Sequence, residues 1–122
     1  WLTSPENPYF AKAIVNRVWK NYMGRGLVEA EDDLRETNPA SNVELLDALA
    51  ADFIKNKYDL KRLSGLILNS AAYQRSSVSI QGNQNDDRFY SRYLVKRLSA
   101  EVLLDALSEV TGAPTPFDKL YT

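Results

Sequence analysis

The chain has 122 residues, of which 44% are hydrophobic and 25% are charged, the balance of a globular protein with a single core. Fifteen lysine and arginine residues against sixteen aspartate and glutamate residues leave a net charge of −1, so no global field draws the chain to nucleic acid or to an anionic membrane. The sequence has no cysteine and no histidine, which excludes disulfides, thiolate nucleophiles, zinc sites with Cys or His ligands, and catalytic triads that use an imidazole.

The first predicted helix follows Asn7-Pro8, an N-cap residue and a proline at the first helical position, and ends at Gly24. Arg17 and Trp19 fall at the two edges of its apolar stripe, so we expect both at the boundary between core and solvent. Asn16 is predicted to face nearly away from that stripe. The stripe itself recurs at helical spacing and consists of Phe10, Ala11, Ile14, Val15, Val18 and Tyr22.

A long loop is predicted from residue 25 to residue 40, where the helical period is lost and an acidic cluster appears. Loops of this length are uncommon inside a compact domain and are often functional. Several hard oxygen ligands in a flexible loop suit Ca²⁺ or Mg²⁺. A solvated acidic loop that pairs with Arg25 or Arg35 is the alternative that we favour. The acidic cluster consists of Glu29, Glu31, Asp32 and Asp33.

Two helices are predicted after the loop. Ser41 and Glu44 form a capping box that begins the second helix, which should fray near Asn56. Asp59 is placed to cap the third helix. We expect the third helix to be central, with an apolar face made of Leu60, Leu63, Ile67 and Ala71.

The remainder of the chain is predicted as a polar surface loop, a short helix and a longer helix. The loop spans 76–87, and the short helix spans 88–97. Ser99 caps the last helix, which presents a broad apolar surface and ends at Gly112. The sequence therefore predicts an all-α fold, a bundle or array of about four to five helices with one long loop.

A basic stripe forms if the segment 88–97 is helical, because Arg88, Arg92 and Lys96 then lie four residues apart with aromatic residues among them. Such a stripe could bind phosphates or stack on bases or sugars. The nearly neutral net charge favours a solvated face instead, and it argues against nucleic acid as a partner.

The tripeptide Gly24-Arg25-Gly26 is a second candidate. Glycines on both sides let the backbone turn tightly and direct the guanidinium at a carboxylate, a phosphate or backbone carbonyls. The alternative that we favour is that Arg25, like Arg17, binds acids or carbonyls inside the domain.

We interpret residues 1–122 as one helical domain excised from a longer protein, because the chain begins with Trp rather than Met. No run approaches the roughly 20 apolar residues that span a bilayer. We expect no cofactor and no bound metal in this part of the chain.

Several separate motifs, in order, resemble domain of unknown function family 1553, a planctomycete-type domain. The resemblance extends from Trp1 to about Val110. The motifs are Ser4-Pro5-Glu6-Asn7-Pro8, Asn16-Arg17-Val18-Trp19, Gly24-Arg25-Gly26-Leu27-Val28, Glu44-Leu45-Leu46-Asp47, Ser70-Ala71-Ala72-Tyr73-Gln74-Arg75-Ser76-Ser77 and Arg97-Leu98-Ser99-Ala100-Glu101.

The resemblance implies a large multidomain protein, often with a signal peptide and sometimes with a cytochrome c-like module, and hence an extracytoplasmic location. It implies no established activity. Where many relatives resemble His-Pro-Glu-Leu-Leu, this chain has Asn42-Val43-Glu44-Leu45-Leu46. We expect eight of the motif residues to form either a binding site or a structural motif that holds the fold together. They are Asn16, Arg17, Trp19, Arg25, Tyr73, Arg75, Arg97 and Glu101.

Three functions follow as hypotheses. The first is a noncatalytic helical module that packs against other domains of its parent chain or against a protein partner, and it predicts an exposed apolar patch. The second is part of a carbohydrate-active or other hydrolytic enzyme, in which Glu29, Asp32 or Asp33 is acid or base and Trp19 or Tyr22 is a sugar platform. The third is a polyanion-binding module that uses the basic stripe.

Overall fold

The computed structural model describes residues 1–4 and 6–114, and this part of the chain is all-α, as predicted. No strand forms within the described ranges. The first three helices pack on one another, whereas the fourth packs against none of them. The helices are α1 (Phe10–Met23), α2 (Val43–Lys55), α3 (Leu60–Leu68) and α4 (Ala100–Thr111).

Helix α1 lies at the centre of the core. Residues four positions apart share a face, and each of the four on this face is at most 3% exposed. The prediction that Trp19 lies at the boundary is wrong, because Leu27 and Val28 of the loop and the distant Tyr90 belong to the same core. The buried face is formed by Ala11, Val15, Trp19 and Met23.

The two ends of α1 are made by the residues expected, although the helix begins two residues later than predicted. The side-chain oxygen of Asn7 accepts hydrogen bonds from the N–H groups of Tyr9 and Phe10, at 3.0 and 3.2 Å. Gly24 ends the helix with a φ of 82°, and its N–H donates to the carbonyl of Lys20. This left-handed conformation suits glycine, which has no Cβ.

Helix α2 begins one residue later than the predicted capping box. Asn42 is the N-cap, and its side-chain oxygen accepts from the N–H of Leu45 at 2.9 Å. Asparagine caps helices as well as serine does, so it takes the role assigned to Ser41. The helix ends at Lys55 with Asn56 as its C-cap, as predicted.

Helix α3 is capped by Asp59, as predicted, since its carboxylate accepts from the N–H groups of Lys61 and Arg62. The helix buries Leu63 and Ile67, and an ion pair of 3.0 Å between Arg62 and Asp52 ties it to α2. It ends at Leu68, so Ala71 lies outside it and is exposed, contrary to the predicted apolar face.

The predicted helix at 88–97 does not form, and that prediction is wrong. The carboxylate of Asp86 accepts hydrogen bonds from the N–H groups of Arg88, Phe89 and Ser91, which turns the backbone away from a helix. Tyr90 has a φ of 54°, a left-handed value that no α-helix contains.

The predicted basic stripe is therefore absent from the described segment, because Arg88, Arg92 and Lys96 are not on one helical face. The segment is held instead by two tyrosine hydroxyls that reach back to α1 and the loop after it. Tyr90 donates to the carbonyl of Gly26 at 2.8 Å, and Tyr93 donates to that of Tyr22 at 3.0 Å.

Helix α4 has the predicted ends, with Ser99 as N-cap and Gly112 in the left-handed conformation at φ 65°. It buries none of its residues in the described part of the chain, so its predicted apolar surface faces solvent. None of the helices in 1–4 and 6–114 has the length and apolar character needed to cross a membrane.

Candidate functional site

Asn16 is a buried polar side chain that fastens the long loop to α1. It is 0% exposed, so the prediction that it faces away from the core is wrong. Its amide nitrogen donates to the carbonyls of Val28 and Glu31 at 2.9 and 3.1 Å, and its oxygen accepts from the N–H of Val28 at 3.0 Å. Every polar atom of this side chain is therefore used inside the protein, which is a structural role.

Gly26 packs against the Asn16 side chain and the carbonyl of Val28 to which that side chain is bonded. A Cβ added at Gly26 would lie 2.5 Å from the carbonyl oxygen of Val28 and 3.1 Å from the side-chain oxygen of Asn16. Only glycine allows the backbone to approach so closely. Gly26 is therefore needed for the close packing of the loop against Asn16, in addition to any effect of the two glycines on the orientation of Arg25.

The acidic loop is neutralised by cations of α1 and of the loop itself. Arg17 binds Asp32 with both Nε and Nη2, at 3.0 and 2.6 Å. Lys20 binds Glu31, and this hydrogen bond holds the pKa of the carboxyl of Glu31 below its usual range. Arg17 is therefore paired within the domain, as expected.

The expected pairing of the acidic loop with Arg25 and Arg35 is confirmed. Arg35 lies 2.9 Å from Asp33, and Arg25 lies 3.7 Å from Glu29. Arg25 also lies 2.8 Å from Asp87, so it links the long loop to the segment before Tyr90. Its guanidinium is therefore paired with two carboxylates of the described residues.

The four loop carboxylates do not form one cluster. Glu29 borders a small cavity beside Arg25, and Glu31 borders the cleft next to α4. Asp32 and Asp33 border a third cleft. Among residues 1–4 and 6–114, no group of three or more carboxylates is placed to hold a metal ion.

Tyr73 belongs to a cluster of aromatic rings. Its ring packs edge-on against those of Tyr22 and Tyr93, with centroids 6.3 and 5.3 Å apart. Partial burial raises the pKa of the Tyr93 hydroxyl. The cluster joins the segment 69–99 to α1, and this contact is structural.

The most site-like feature is a cavity of about 210 Å³ between α1, the start of α2 and the segment 69–99. We call it the Trp19–Tyr90 cavity. Trp19 and Tyr90 are 3% and 8% exposed, and their rings meet edge-on at 5.3 Å. The cavity is lined by Trp19, Leu27, Ser41, Asn42, Leu45, Ala72, Arg75, Arg88, Phe89 and Tyr90.

Two polar groups of this cavity lack a hydrogen-bond partner anywhere in the described residues: the indole N–H of Trp19 and the hydroxyl of Ser41. The Tyr90 O–H is shared between the carbonyls of Arg25 and Gly26, at 3.0 and 2.8 Å, which leaves the lone pairs of its oxygen free to accept. Burial raises the pKa of Tyr90. The side chains of Trp19 and Ser41 lie close enough to oppose this rise, although neither reaches hydrogen-bond geometry with the hydroxyl.

Two arginines stand at the same cavity without a carboxylate partner in the described part of the chain. Arg75 donates one hydrogen bond, to the carbonyl of Tyr90 at 3.3 Å. The guanidinium of Arg88 lies 5.8 Å from the ring centroid of Phe89. Of the predicted site residues, the structure thus brings Trp19 and Arg75 together.

Arg97 and Glu101 lie elsewhere, at the start of α4. Arg97 borders an open cleft of about 590 Å³ shared with Arg17 and Lys20 of α1. Glu101 is in the first turn of α4, where its own backbone N–H and the Ser99 hydroxyl lower the pKa of its carboxyl. These residues are not part of the Trp19–Tyr90 cavity.

The second feature is the apolar face of α4. We call it the α4 face, and its residues are about half exposed or more. Isolated helices of this length are marginal in water and gain their stability by burying such a face. The α4 face consists of Leu98, Val102, Leu103, Leu107 and Val110, with exposed fractions of 53, 51, 47, 53 and 87%.

Sequence reasoning missed three residues of the cavity: Ser41, which was assigned to a cap, Arg88, which was assigned to a helical stripe, and Tyr90. No local pattern marks Tyr90, because its burial depends on contacts with residues more than 60 positions earlier.

Comparison with known families identifies the chain. The model of the family PSD1, protein of unknown function (DUF1553), matches residues 1–119. Comparison with the curated proteins and with the solved structures finds no match. The chain therefore belongs to the DUF1553 family, and the resemblance inferred from its motifs is confirmed.

Proposed function

We propose that this member of the DUF1553 family is a noncatalytic helical module, and that it binds another domain of its parent protein through the α4 face. The observation that supports this proposal is that α4 is folded and amphipathic but buries none of its residues among those described. The first three helices form a core without it. An exposed apolar patch of this kind marks an interaction surface.

The size of the α4 face fits an interface rather than an incidental surface. Four large apolar side chains of α4, and Leu98 just before its N-cap, are exposed within 13 residues, and stable interfaces have an apolar centre of this kind. Single exposed apolar residues need no explanation, but a continuous row along one helix does. A multidomain, extracytoplasmic parent protein is part of the same proposal and rests on the family resemblance alone.

The hydrolytic alternative has less support. Each of its three candidate carboxylates, Glu29, Asp32 and Asp33, lies against an arginine rather than free beside a second carboxylate in one cleft. Trp19 is buried, so its ring face is not open as a sugar platform. The polyanion alternative also has less support, because the segment 88–97 is not helical and its basic residues do not form the predicted stripe.

The test is site-specific photo-cross-linking in the full-length parent protein. A photoreactive residue at Leu107 on the α4 face is compared with the same residue at Val78, which is 72% exposed but lies outside it. We expect Leu107 to cross-link to another domain of the same polypeptide and Val78 to give only background. Cross-linking of Leu107 at the level of Val78 would overturn the proposal.

A charge variant makes the same test by a second route. Leu103→Lys should abolish the cross-link from Leu107, because a lysine ammonium cannot be buried in an apolar interface without a partner. Val78→Lys is the matched control and should leave the cross-link unchanged. A cross-link from Leu107 to a different polypeptide would reject the intramolecular partner and assign the α4 face to a separate protein.

A further inference from the structure

Three carboxylates lie in a row along α4. Glu101, Asp105 and Glu109 are four residues apart, so they share one side of the helix, and all three are exposed. On a helical wheel this row, which we call the acidic row, lies directly beside Val102, at one edge of the α4 face. Helix α4 contains no lysine or arginine, and none of the three carboxylates is in an ion pair within the described part of the chain. The α4 face therefore has an acidic border.

The acidic row works against the stability of the helix that carries it. Like charges four residues apart on a helix repel each other. Glu109 stands in the last turn, where the carbonyl end of the helix already carries partial negative charge. Only Glu101, in the first turn, is placed favourably. The stability of α4 alone therefore gives no reason for the acidic row.

The acidic row restricts which surface can cover the α4 face. Exposed carboxylates are solvated and need no counter-ion, but a surface that buries Val102 and Leu103 must also approach the row. An acidic border on that surface would repel the carboxylates. An apolar border would remove water from them without replacing its hydrogen bonds. A border of lysine or arginine avoids both costs.

Two other occupants fit the α4 face less well. A second copy of α4 has no basic residue to offer, so it would add a second acidic row to the interface without compensation. An anionic lipid surface would repel three carboxylates, and helices that lie on such membranes carry lysine and arginine on their polar face. A basic amphipathic surface matches both the apolar residues and the charge.

The spacing within the α4 face indicates the form of that surface. Leu103, Leu107 and Val110 are separated by four and then three residues, the spacing by which one helix packs along another. Successive carboxylates of the acidic row are four residues apart, which is about 6 Å along a helix axis. Basic residues at positions i and i+4 of a helix that lies alongside α4 have the same separation.

We propose that the α4 face binds an amphipathic helix whose apolar face is bordered by lysine or arginine residues at four-residue spacing. The apolar side chains of that helix pack on Leu103 and Leu107, and its basic side chains pair with the acidic row. This inference rests on the proposed function, in which the α4 face binds another domain of the parent protein, and it adds what that domain presents.

The first experiment identifies the segment that is joined to Leu107 in the full-length parent protein. Photo-cross-linking from Leu107 is followed by mass spectrometry of the digested product, which locates the joined peptide. We expect an amphipathic segment of net positive charge, with at least two basic residues three or four positions apart. A neutral or acidic segment would overturn the basic helix and leave the proposed function intact. Background cross-linking only, or cross-linking to lipid, would overturn both.

Charge reversal tests whether the acidic row makes the contact. Asp105→Lys should reduce the yield of the Leu107 cross-link by about threefold or more, because like charges then meet at the border of the interface. Loss of α4 is not the cause, since the substitution relieves repulsion within the helix. Glu36→Lys makes the same change of charge at an exposed carboxylate outside α4 and should leave the yield unchanged.

A compensating exchange completes the test. Replacing the basic residue of the joined segment that lies nearest the cross-link with glutamate should restore the yield in the Asp105→Lys protein. The same exchange in the otherwise unchanged protein should lower the yield. Equal yields from Asp105→Lys and Glu36→Lys, or no recovery with the compensating exchange, would overturn the pairing with the acidic row.

Discussion

Replacing Asn16 with alanine tests whether the long loop is held by the buried amide. The substitution removes three hydrogen bonds of 2.9 to 3.1 Å and leaves the N–H and carbonyl of Val28 without partners in a place that is 2% exposed. Each unsatisfied buried group costs about 1 to 3 kcal/mol. The carbonyl of Glu31 is only partly buried, so it adds less. We expect Asn16→Ala to lower the free energy of unfolding by about 3 to 5 kcal/mol.

Urea unfolding followed by circular dichroism measures this loss. With a slope of about 2 kcal/mol per molar urea, the midpoint should fall by about 2 M. Asn21→Ala is the matched control, since Asn21 lies on the same helix, is exposed, and makes no side-chain hydrogen bond within the described residues. It should change stability by no more than about 0.5 kcal/mol.

A loss of less than about 1 kcal/mol for Asn16→Ala would contradict this role of the buried amide, because water would then replace it at no great cost. Asn16→Asp adds an independent test through pH. Its carboxylate would face two carbonyl oxygens, so its pKa in the folded state should rise above the unfolded value of about 3.9. Relative to the unchanged chain, the variant should therefore lose least stability below about pH 4 and lose more as the pH rises through the folded-state pKa.

Two further predictions concern the loop and the contact between α2 and α3. Gly26→Ala should destabilise the chain by about 2 kcal/mol, because the new Cβ would lie 2.5 Å from the carbonyl oxygen of Val28. Gly65→Ala is the control, because Gly65 lies within α3 and has open space around it. In the same urea assay it should stabilise the chain by about 0.5 to 1 kcal/mol. The hydrogen bond from Arg62 lowers the pKa of Asp52, so the stabilisation it gives is present above about pH 4 and is lost as the pH falls through the lowered pKa. Asp52→Asn should therefore reduce the melting temperature at pH 7 and have less effect at pH 2, and an equal reduction at both values would contradict this.

The ends of the helices could be predicted because they depend on neighbouring residues. Asp59 and Ser99 cap their helices with their own side chains, and Gly24 and Gly112 end theirs in the left-handed conformation. Each of these interactions joins residues no more than about four positions apart. The wrong choice of Ser41 over Asn42 as the N-cap of α2 also has a local cause. Two good N-cap residues are adjacent in the sequence, and only one of them can begin the helix.

The burial of α1 could not be predicted in the same way. A helical wheel shows which side chains of α1 share a face. It does not show which distant residues pack on each face and bury it. Trp19 is covered by Tyr90, which is 71 positions later, and Asn16 is covered by the loop that it binds. The loss of the predicted helix at 88–97 has a mixed cause, because Asp86 acts locally while Tyr90 is held by the distant carbonyl of Gly26.

The family motifs and the candidate site therefore coincide only in part. Asn16, Arg17 and Arg25 belong to the motifs, but their polar atoms are used within the domain, so what they recognise is the loop itself. Trp19 differs, because its buried N–H makes no hydrogen bond of good geometry, although the Tyr90 hydroxyl lies close to it. Proteins seldom leave such a donor without a partner, since the cost is comparable to that of a lost hydrogen bond. Membership of a family motif therefore does not by itself mark a binding residue in this fold, because these polar side chains chiefly hold the loop to α1.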